Sequence, residues 1–208
     1  DNAVIEEINK TCQKSKTYFS YYGNTIDTNL HINSGSKEII EEIDVPIIFI
    51  AGLSERTNKF EIQLSMREMF INAGYKVTQI GSRHYCELFG FHSFPDFMLN
   101  CGIPESTKVA MFNHYIMGIK KKEMPDVIII GIPGGIMPFN KQFTNRFGIL
   151  AYEVSQAIAP DFSIISVLYD SYNANYFNML STSIKYKLGF EVSCFNVSNV
   201  QFDWSMSL

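Results

Sequence analysis

Two stretches of this chain, Pro46 to Ala51 and Val127 to Ile130, are apolar at every position. A strand with one wet face alternates apolar and polar residues, whereas a strand covered on both faces is apolar throughout. Strands of the second kind need helices on both sides of their sheet. Helical patterns occur in the right places. Phe60 to Ala73 carries Ile62, Met66, Met69 and Phe70 near helical spacing, with Gly74 as its stop. Phe147 to Ile158 ends before Pro160, and Tyr176 to Lys187 is stopped by Gly189. Between them lie further strand patterns at Tyr75 to Ile80, Ser163 to Leu168 and Glu191 to Val197. The alternation predicts an α/β fold: a doubly wound, mostly parallel sheet with helices on both faces. Ligands of such sheets bind beyond the carboxyl ends of the strands. The loops after Ile50, Ile130 and Leu168 therefore form the expected functional edge.

The segment before this pattern differs. Val4 to Lys16 reads as a short helix and Tyr18 to Tyr22 as a strand, followed by an Asn-, Thr-, Ser- and Gly-rich stretch over 23–36. Residues 1–36 are expected to be an N-terminal segment or linker from an upstream domain. Residues 37–208 are expected to form the α/β domain, entered by a short helix from Lys37 to Ile43. The chain begins with Asp1 rather than Met, the expected mark of a fragment or a processed product. Its start, DNAVIEEINK, lacks the basic-then-apolar order of a signal peptide.

Composition narrows the function classes. The net charge of -4 argues against nucleic acid, whose phosphates need a basic surface. No apolar run reaches the roughly 18 residues that span a bilayer. Four scattered cysteines do not make a disulfide framework and fit the reducing cytoplasm.

The loop after the first apolar strand reads GLSERTNKF, Gly52 to Phe60. A strand-to-helix loop collects unpaired backbone N–H groups and the positive end of a helix dipole, which favours phosphate or carboxylate. Lys59 adds a point charge. The common phosphate loop has Gly, four residues, then Gly-Lys-Ser or Gly-Lys-Thr. Here five residues separate Gly52 from Asn58-Lys59-Phe60. Asn58 can take the positive φ that glycine would take, at some cost. Phe60 has no hydroxyl to hold Mg²⁺. The competing reading is an ordinary strand-helix turn with one exposed lysine.

The second site candidate runs from Pro125 to Pro138, with Gly131 at the strand end and a Gly134-Gly135 pair after it. Paired glycines allow close backbone approach to a ligand, or mark a tight turn. A phosphate-loop enzyme carries an acidic residue at this strand end to hold Mg²⁺; this chain has Gly131 there.

These pieces resemble the dethiobiotin synthetase branch of P-loop ATPases over about residues 45 to 200. That branch shows Gly-x5-Gly-Lys-Thr, a helix ending in Ala-Gly-Tyr before a strand, and a later Asp-x4-Glu-Gly-Ala-Gly-Gly with a proline after it. Gly52 to Phe60, Ala73-Gly74-Tyr75 and Asp126 to Pro138 match in layout. The resemblance implies that Lys59 contacts phosphate and that Ser198 or Asn199 lies near an adenine. The departures, Asn58, Phe60 and Gly131, fall on catalytic positions. The segments Glu55 to Glu61, Gln79 to Arg83 and Gly90 to Pro95 also resemble a clostridial family attached to peptide natural-product maturation systems, whose members accompany radical peptide-modifying enzymes. That resemblance implies a peptide-modifying enzyme or a precursor peptide as partner.

The loop Gly81 to Gly102 is the third candidate. His84, Cys86, His92 and Cys101 are chemically able to bind zinc, but paired Cys-x2-Cys knuckles are absent. The competing reading is a packed aromatic loop with buried His and Cys; a middle reading has the long loop close over the ligand site, which makes Arg83 an anion contact. Lys120-Lys121-Lys122 reads as a solvated helix end. Asp170 reads as a cap for the following helix or as a base or metal contact.

The expected function is a degenerate P-loop-like accessory protein of a peptide maturation system. It would bind a nucleotide or another anionic ligand weakly, or act through protein contacts, and would not be an active ATPase. The expected ligand is ATP or another phosphate-bearing molecule, held by Gly52, Asn58, Lys59, Arg83, Gly134, Gly135 and Asn199. Two alternatives stay open: an active ATP-dependent ligase or synthetase with metal contacts from Glu55, Asp170 or a missing domain, and a non-catalytic scaffold recruiting a precursor peptide.

Overall fold

The structure, a computed structural model, describes residues 2–17, 19, 39–138, 140–142 and 144–201. Helix α1 spans Asn2–Lys14. The strand expected over Tyr18 to Tyr22 and the loop over 23–36 fall, apart from Phe19, outside the described residues. The remaining elements are β1 (Ile47–Gly52), α2 (Lys59–Asn72), β2 (Val77–Gly81), β3 (His92–Ser93), α3 (Glu105–Glu123), β4 (Val127–Gly135), α4 (Ile149–Ala157), β5 (Phe162–Val167), α5 (Ala174–Leu188) and β6 (Cys194–Val197). The six strands pair in parallel in the order β3-β2-β4-β1-β5-β6. This is the doubly wound α/β arrangement expected from the apolar runs.

Helices cover both faces, unequally. On one face Ile48, Ile50, Val127, Ile129 and Ile164 pack against Ile62, Met66 and Phe70 of α2. On the other, Phe49, Ala51, Ile128, Ile130 and Ile165 meet α3, α4 and α5 through Phe112, Ile116, Val154 and Ile184. β1 and β4 are apolar throughout because both of their faces are covered. Gly74 and Gly189 end their helices with φ of 89° and 84°, the left-handed geometry that glycine adopts most cheaply.

Three expectations need correction. Residues 39–43 are not helical. Asn113 of α3 binds both backbone groups of Glu41, accepting from its N–H at 2.9 Å and donating to its C=O at 2.9 Å. Those groups are thus committed to α3 rather than to a helical turn. β4 does not stop at Ile130 but continues through its glycines to Gly135, where it pairs with Gly52 across an irregularity in register. The 19-residue helix α3 was legible only at its lysine-rich end, because buried residues as different as Lys108, Phe112, Asn113 and Ile119 are spread around it. There, Lys120 pairs with Asp44 and Lys121 with Glu41. Asp170 does not cap α5: its carboxylate accepts from the Ser171 N–H at 2.7 Å, and Asn173 caps the helix by accepting from the Tyr176 N–H at 2.9 Å.

Candidate functional site

The strand order places β1 between β4 and β5, so the chain leaves β1 in one direction and later returns to its other side. The carboxyl end of β1 is therefore the switch point where ligands of doubly wound sheets sit. The loop Gly52 to Lys59 lies there. It folds back on its own strand: a Cβ at Gly52 would lie 2.4 Å from Thr57 Oγ1 and 2.5 Å from Ser54 O. Only glycine fits that closure. Arg56 and Asn58 both take left-handed backbone, with φ of 59° and 57°. Ser54 to Asn58 donate no backbone hydrogen bond among the described residues. Unpaired N–H groups at a helix start are what an anion site requires.

The loop is pinned from β5 and β6. Ser166 Oγ donates to Thr57 O at 2.5 Å and accepts from Asn196 Nδ2 at 2.8 Å, and Ser166 O accepts from the Leu53 N–H at 2.8 Å. The sequence reading missed Ser166 and Asn196. The available signal was a hydroxyl in an otherwise apolar, buried strand, since such a group needs a partner. Asn58 Nδ2 donates to Asn199 Oδ1 at 2.5 Å, which ties the helix start to the segment after β6. A groove of about 360 Å³ opens beside this tie, lined by Asn58, Glu61, Ile62, Ser65, Asn196 and Asn199 among others. Ser198 is buried: its hydroxyl meets the backbone of Val200, and its N–H donates to Val167 O at 2.8 Å.

Lys59 is half-buried and its Nζ donates to Gly134 O. Burial, assisted by the nearby Arg83 charge and opposed by Glu55, lowers its pKa to about 8. The amine is therefore easily neutralised, as expected for a lysine taken out of water before an anion arrives. Gly134 has φ of 73°. At Gly135 a Cβ would lie 2.7 Å from the Asn145 amide and 2.9 Å from Leu53 O. The close approach that the two glycines permit is made here by groups of the chain itself.

The other two departures from a working phosphate loop have structural occupants. Phe60 is buried and meets the rings of Phe89, Tyr85 and Phe91 at 5.8, 6.3 and 6.4 Å, with the exposed Arg83 guanidinium 5.7 Å from its centroid. It anchors the loop after β2 to the first turn of α2. Gly131 faces Gln63: a Cβ there would lie 2.1 Å from Gln63 Oε1. Gln63, fully buried, donates to Ser82 Oγ at 3.1 Å and accepts from the Ser82 N–H at 3.2 Å. An acidic side chain cannot occupy Gly131 while Gln63 holds that space.

The structure brings Gly52, Asn58, Lys59, Gly134 and Gly135 into one corner, with Asn199 tied to Asn58 and the Arg83 charge within reach of Lys59. It does not bring the zinc candidates together. Among the described residues no group of three metal-binding side chains forms. Cys86 is buried and donates to Arg83 O at 3.2 Å; burial, the largest cause, raises its thiol to about 11. Cys101 and His84 are exposed, and His92 is half-buried against Glu123. The loop thus has a buried Cys, but its two histidines are not buried. Asp170 is exposed and committed to Ser171. No described helix is long and apolar enough to cross a membrane.

No family model matches the chain, and no curated protein matches it. Solved structures do. One is a DUF1611 family protein from Anabaena variabilis, with a TM-score of 0.53 and 10% identity over 81% of this chain and 52% of that one. The chain spans about half the length of that protein. Others are the kinase domain of the Escherichia coli tyrosine kinase ETK, with a TM-score of 0.48 and 10% identity over 79% of this chain and 72% of that one, and the GTPase PAB0955 from Pyrococcus abyssi, with a TM-score of 0.38 and 16% identity over 71% and 64%. The likeness to the Anabaena variabilis protein is one of fold: a parallel α/β sheet wound on both sides of β1.

Proposed function

We propose that the chain is an accessory protein whose P-loop-like corner binds a nucleotide or another phosphate-bearing anion weakly and does not turn over ATP. One observation supports this reading above the rest: the positions that would hold Mg²⁺ are filled by side chains serving the fold. Phe60 is in an aromatic cluster and Gln63 occupies the space beside Gly131. The anion-binding part is retained, in the loop N–H groups, Lys59 and the nearby Arg83. The Lys59–Gly134 hydrogen bond must open before the amine can meet a phosphate, which further lowers affinity. The proposed setting is a peptide maturation system, with a peptide-modifying enzyme or precursor peptide as partner, following the resemblance of Glu55 to Glu61, Gln79 to Arg83 and Gly90 to Pro95.

Calorimetric titration with ATP and ADP, with and without Mg²⁺, tests the site. Weak binding that is indifferent to Mg²⁺ and lost in Lys59→Ala is expected. Rapid, Mg²⁺-dependent ATP turnover abolished by Lys59→Ala would sink the reading and favour an ATP-dependent ligase. Co-purification with the modifying enzyme tests the setting separately.

A further inference from the structure

A second recess, about 250 Å³, lies beside the outer edge of the sheet. It exists because β3 pairs only with Ile80 and Gly81, which leaves β2 from Val77 to Gln79 without a neighbouring strand on that side. Arg67 of α2, His92 of β3 and Glu123 at the end of α3 wall it, with Thr78 and Gln79 on β2.

The wall groups are already partnered. Arg67 donates to Val77 O at 3.2 Å and Gly90 O at 3.4 Å and lies 5.4 Å from the Phe91 ring centroid. Thr78 Oγ1 donates to Glu123 Oε2 at 2.5 Å, and His92 Nε2 meets Glu123 Oε1 at 2.6 Å. Burial works to raise the Glu123 pKa, but these hydrogen bonds outweigh it and hold the carboxyl below its ordinary value.

Gln79 is different. It is fully buried, it contributes to the lining of the recess, and neither Oε1 nor Nε2 has a partner; these are the unpartnered buried side-chain polar atoms among the described residues. Gln63, equally buried on the helix above, has both ends bonded to Ser82. An unpaired buried amide is costly. Leucine or methionine would fill the same strand position without that cost.

We propose that this recess binds a small neutral molecule through an amide-type edge, a hydrogen-bond donor beside an acceptor, that pairs with the Gln79 carboxamide. Gln79 offers one donor and one acceptor side by side. A single ion satisfies only half of it. The carboxylates of Glu123 and Glu87 in the lining disfavour anions in the recess and the Arg67 guanidinium opposes cations, which favours a neutral ligand. The shared chemistry occurs in primary carboxamides and in the edge of a pyrimidine base. The recess flanks β2 upstream of the β2–β3 pairing, whereas the phosphate loop follows β1, so the two sites stand or fall separately.

The test is a nuclear magnetic resonance titration of the ¹⁵N-labelled 208-residue chain with nicotinamide, free glutamine and uracil, and with nicotinate as control. The Gln79 side-chain NH₂ and the backbone N–H of Thr78 and His92 are followed. A saturable shift of these signals is expected with at least one amide-edged probe, and nicotinate should bind about tenfold or more weakly, because it replaces the donor with a charge. A response to nicotinamide or glutamine assigns the carboxamide; a response to uracil alone assigns the base edge. Gln79→Met should abolish the response, and so should Gln79→Glu, which keeps the size and loses the donor. No shift with any probe, nicotinate equal to nicotinamide, or an undiminished response in a folded variant would overturn the proposal.

Discussion

The corner after β1 and the recess beside β2 contain similar polar side chains in opposite conditions. At the corner the polar side chains have partners within the chain, even though the loop N–H groups do not: Lys59 has Gly134 O, Asn58 has Asn199, and Gln63 has Ser82. In the recess the floor amide of Gln79 has none. A buried polar group that is internally satisfied stabilises one closed arrangement, and a ligand must displace that partner first. A buried polar group without a partner costs stability in the free protein and returns it on binding. The corner recognisable from sequence is thus the more self-contained of the two sites. The recess, which no motif marks, is the more open to a small ligand.

The largest effect that would break this contrast is at Phe60. If the corner has given its metal chemistry over to packing, Phe60→Thr should cost about 3 kcal/mol, in the range for truncating a buried aromatic. A drop in the urea midpoint with an unchanged slope would report it. The loop after β2, which rests on Phe60 through Phe89 and Phe91, should become protease-sensitive at the same time. A loss below about 1 kcal/mol would mean that Phe60 is not the anchor described above.

Gly131→Ala comes next, at about 1–3 kcal/mol, the usual cost of adding a methyl group to a filled core. The added Cβ meets Gln63 Oε1 at 2.1 Å. Gln63→Ala in the same chain should relieve part of that clash, so the two changes should be non-additive in a double-mutant cycle. Additive losses would show that Gln63 does not hold the space of the missing carboxylate.

Lys59 gives a pH signature. Its pKa is about 8 in the folded chain, against an ordinary value of 10.5. Between those values the unfolded chain carries the proton and the folded chain does not, so folding stability contributed by this group rises with pH across that window. The slope should stay below about 1.4 kcal/mol per pH unit, because the amine is only partly shielded from solvent. Subtracting the stability profile of Lys59→Met isolates it. Anion affinity should run the other way, falling as pH rises through 8. Identical pH profiles for the two proteins would contradict the buried, easily neutralised amine.

What the sequence made legible follows from physics that acts locally. β1 and β4 were readable because a strand covered on both faces has no polar positions to confuse the pattern. The left-handed Asn58 was readable from its place before Lys59. Gln63 was not, because at sequence level it is one polar residue on an amphipathic helix, and its meaning lies in its contact with Gly131 and Ser82 across the sheet. The extension of β4 to Gly135 was hidden for a related reason. Glycine ends most strands, but here the bulged pairing with Gly52 and the approach of Leu53 O require it inside one. Gln79 was read as part of a strand and of a segment resemblance; that it lacks a partner depends on β3 being only two residues long.

Gln79→Met sharpens the contrast from the recess side. It removes an unpartnered amide and keeps the side-chain length, so thermal unfolding should show a chain between equally stable and about 1 kcal/mol more stable. A loss of more than about 1 kcal/mol would mean that the amide is satisfied in the free protein and that the two sites do not differ as described.

Asn58→Gly should have the smallest effect and discriminates between causes at the corner. The change relieves a left-handed asparagine, with φ 57° and ψ 21°, and recreates the Gly-Lys pair of a working loop. Against that relief stand the lost hydrogen bond to Asn199, worth about 0.5–1.5 kcal/mol, and the greater freedom of glycine in the unfolded chain, about 0.4–1 kcal/mol. These nearly cancel, so a net loss of about 0.5 kcal/mol or less is expected. Mg²⁺-dependent ATP affinity should not appear, because Phe60 and Gln63 still occupy the positions of the metal-holding groups. If calorimetry on Asn58→Gly alone showed strong Mg²⁺-dependent binding, the block would lie in the Asn58–Asn199 tie. Phe60 and Gln63 would then be bystanders, and the corner would be one side chain away from an active nucleotide site.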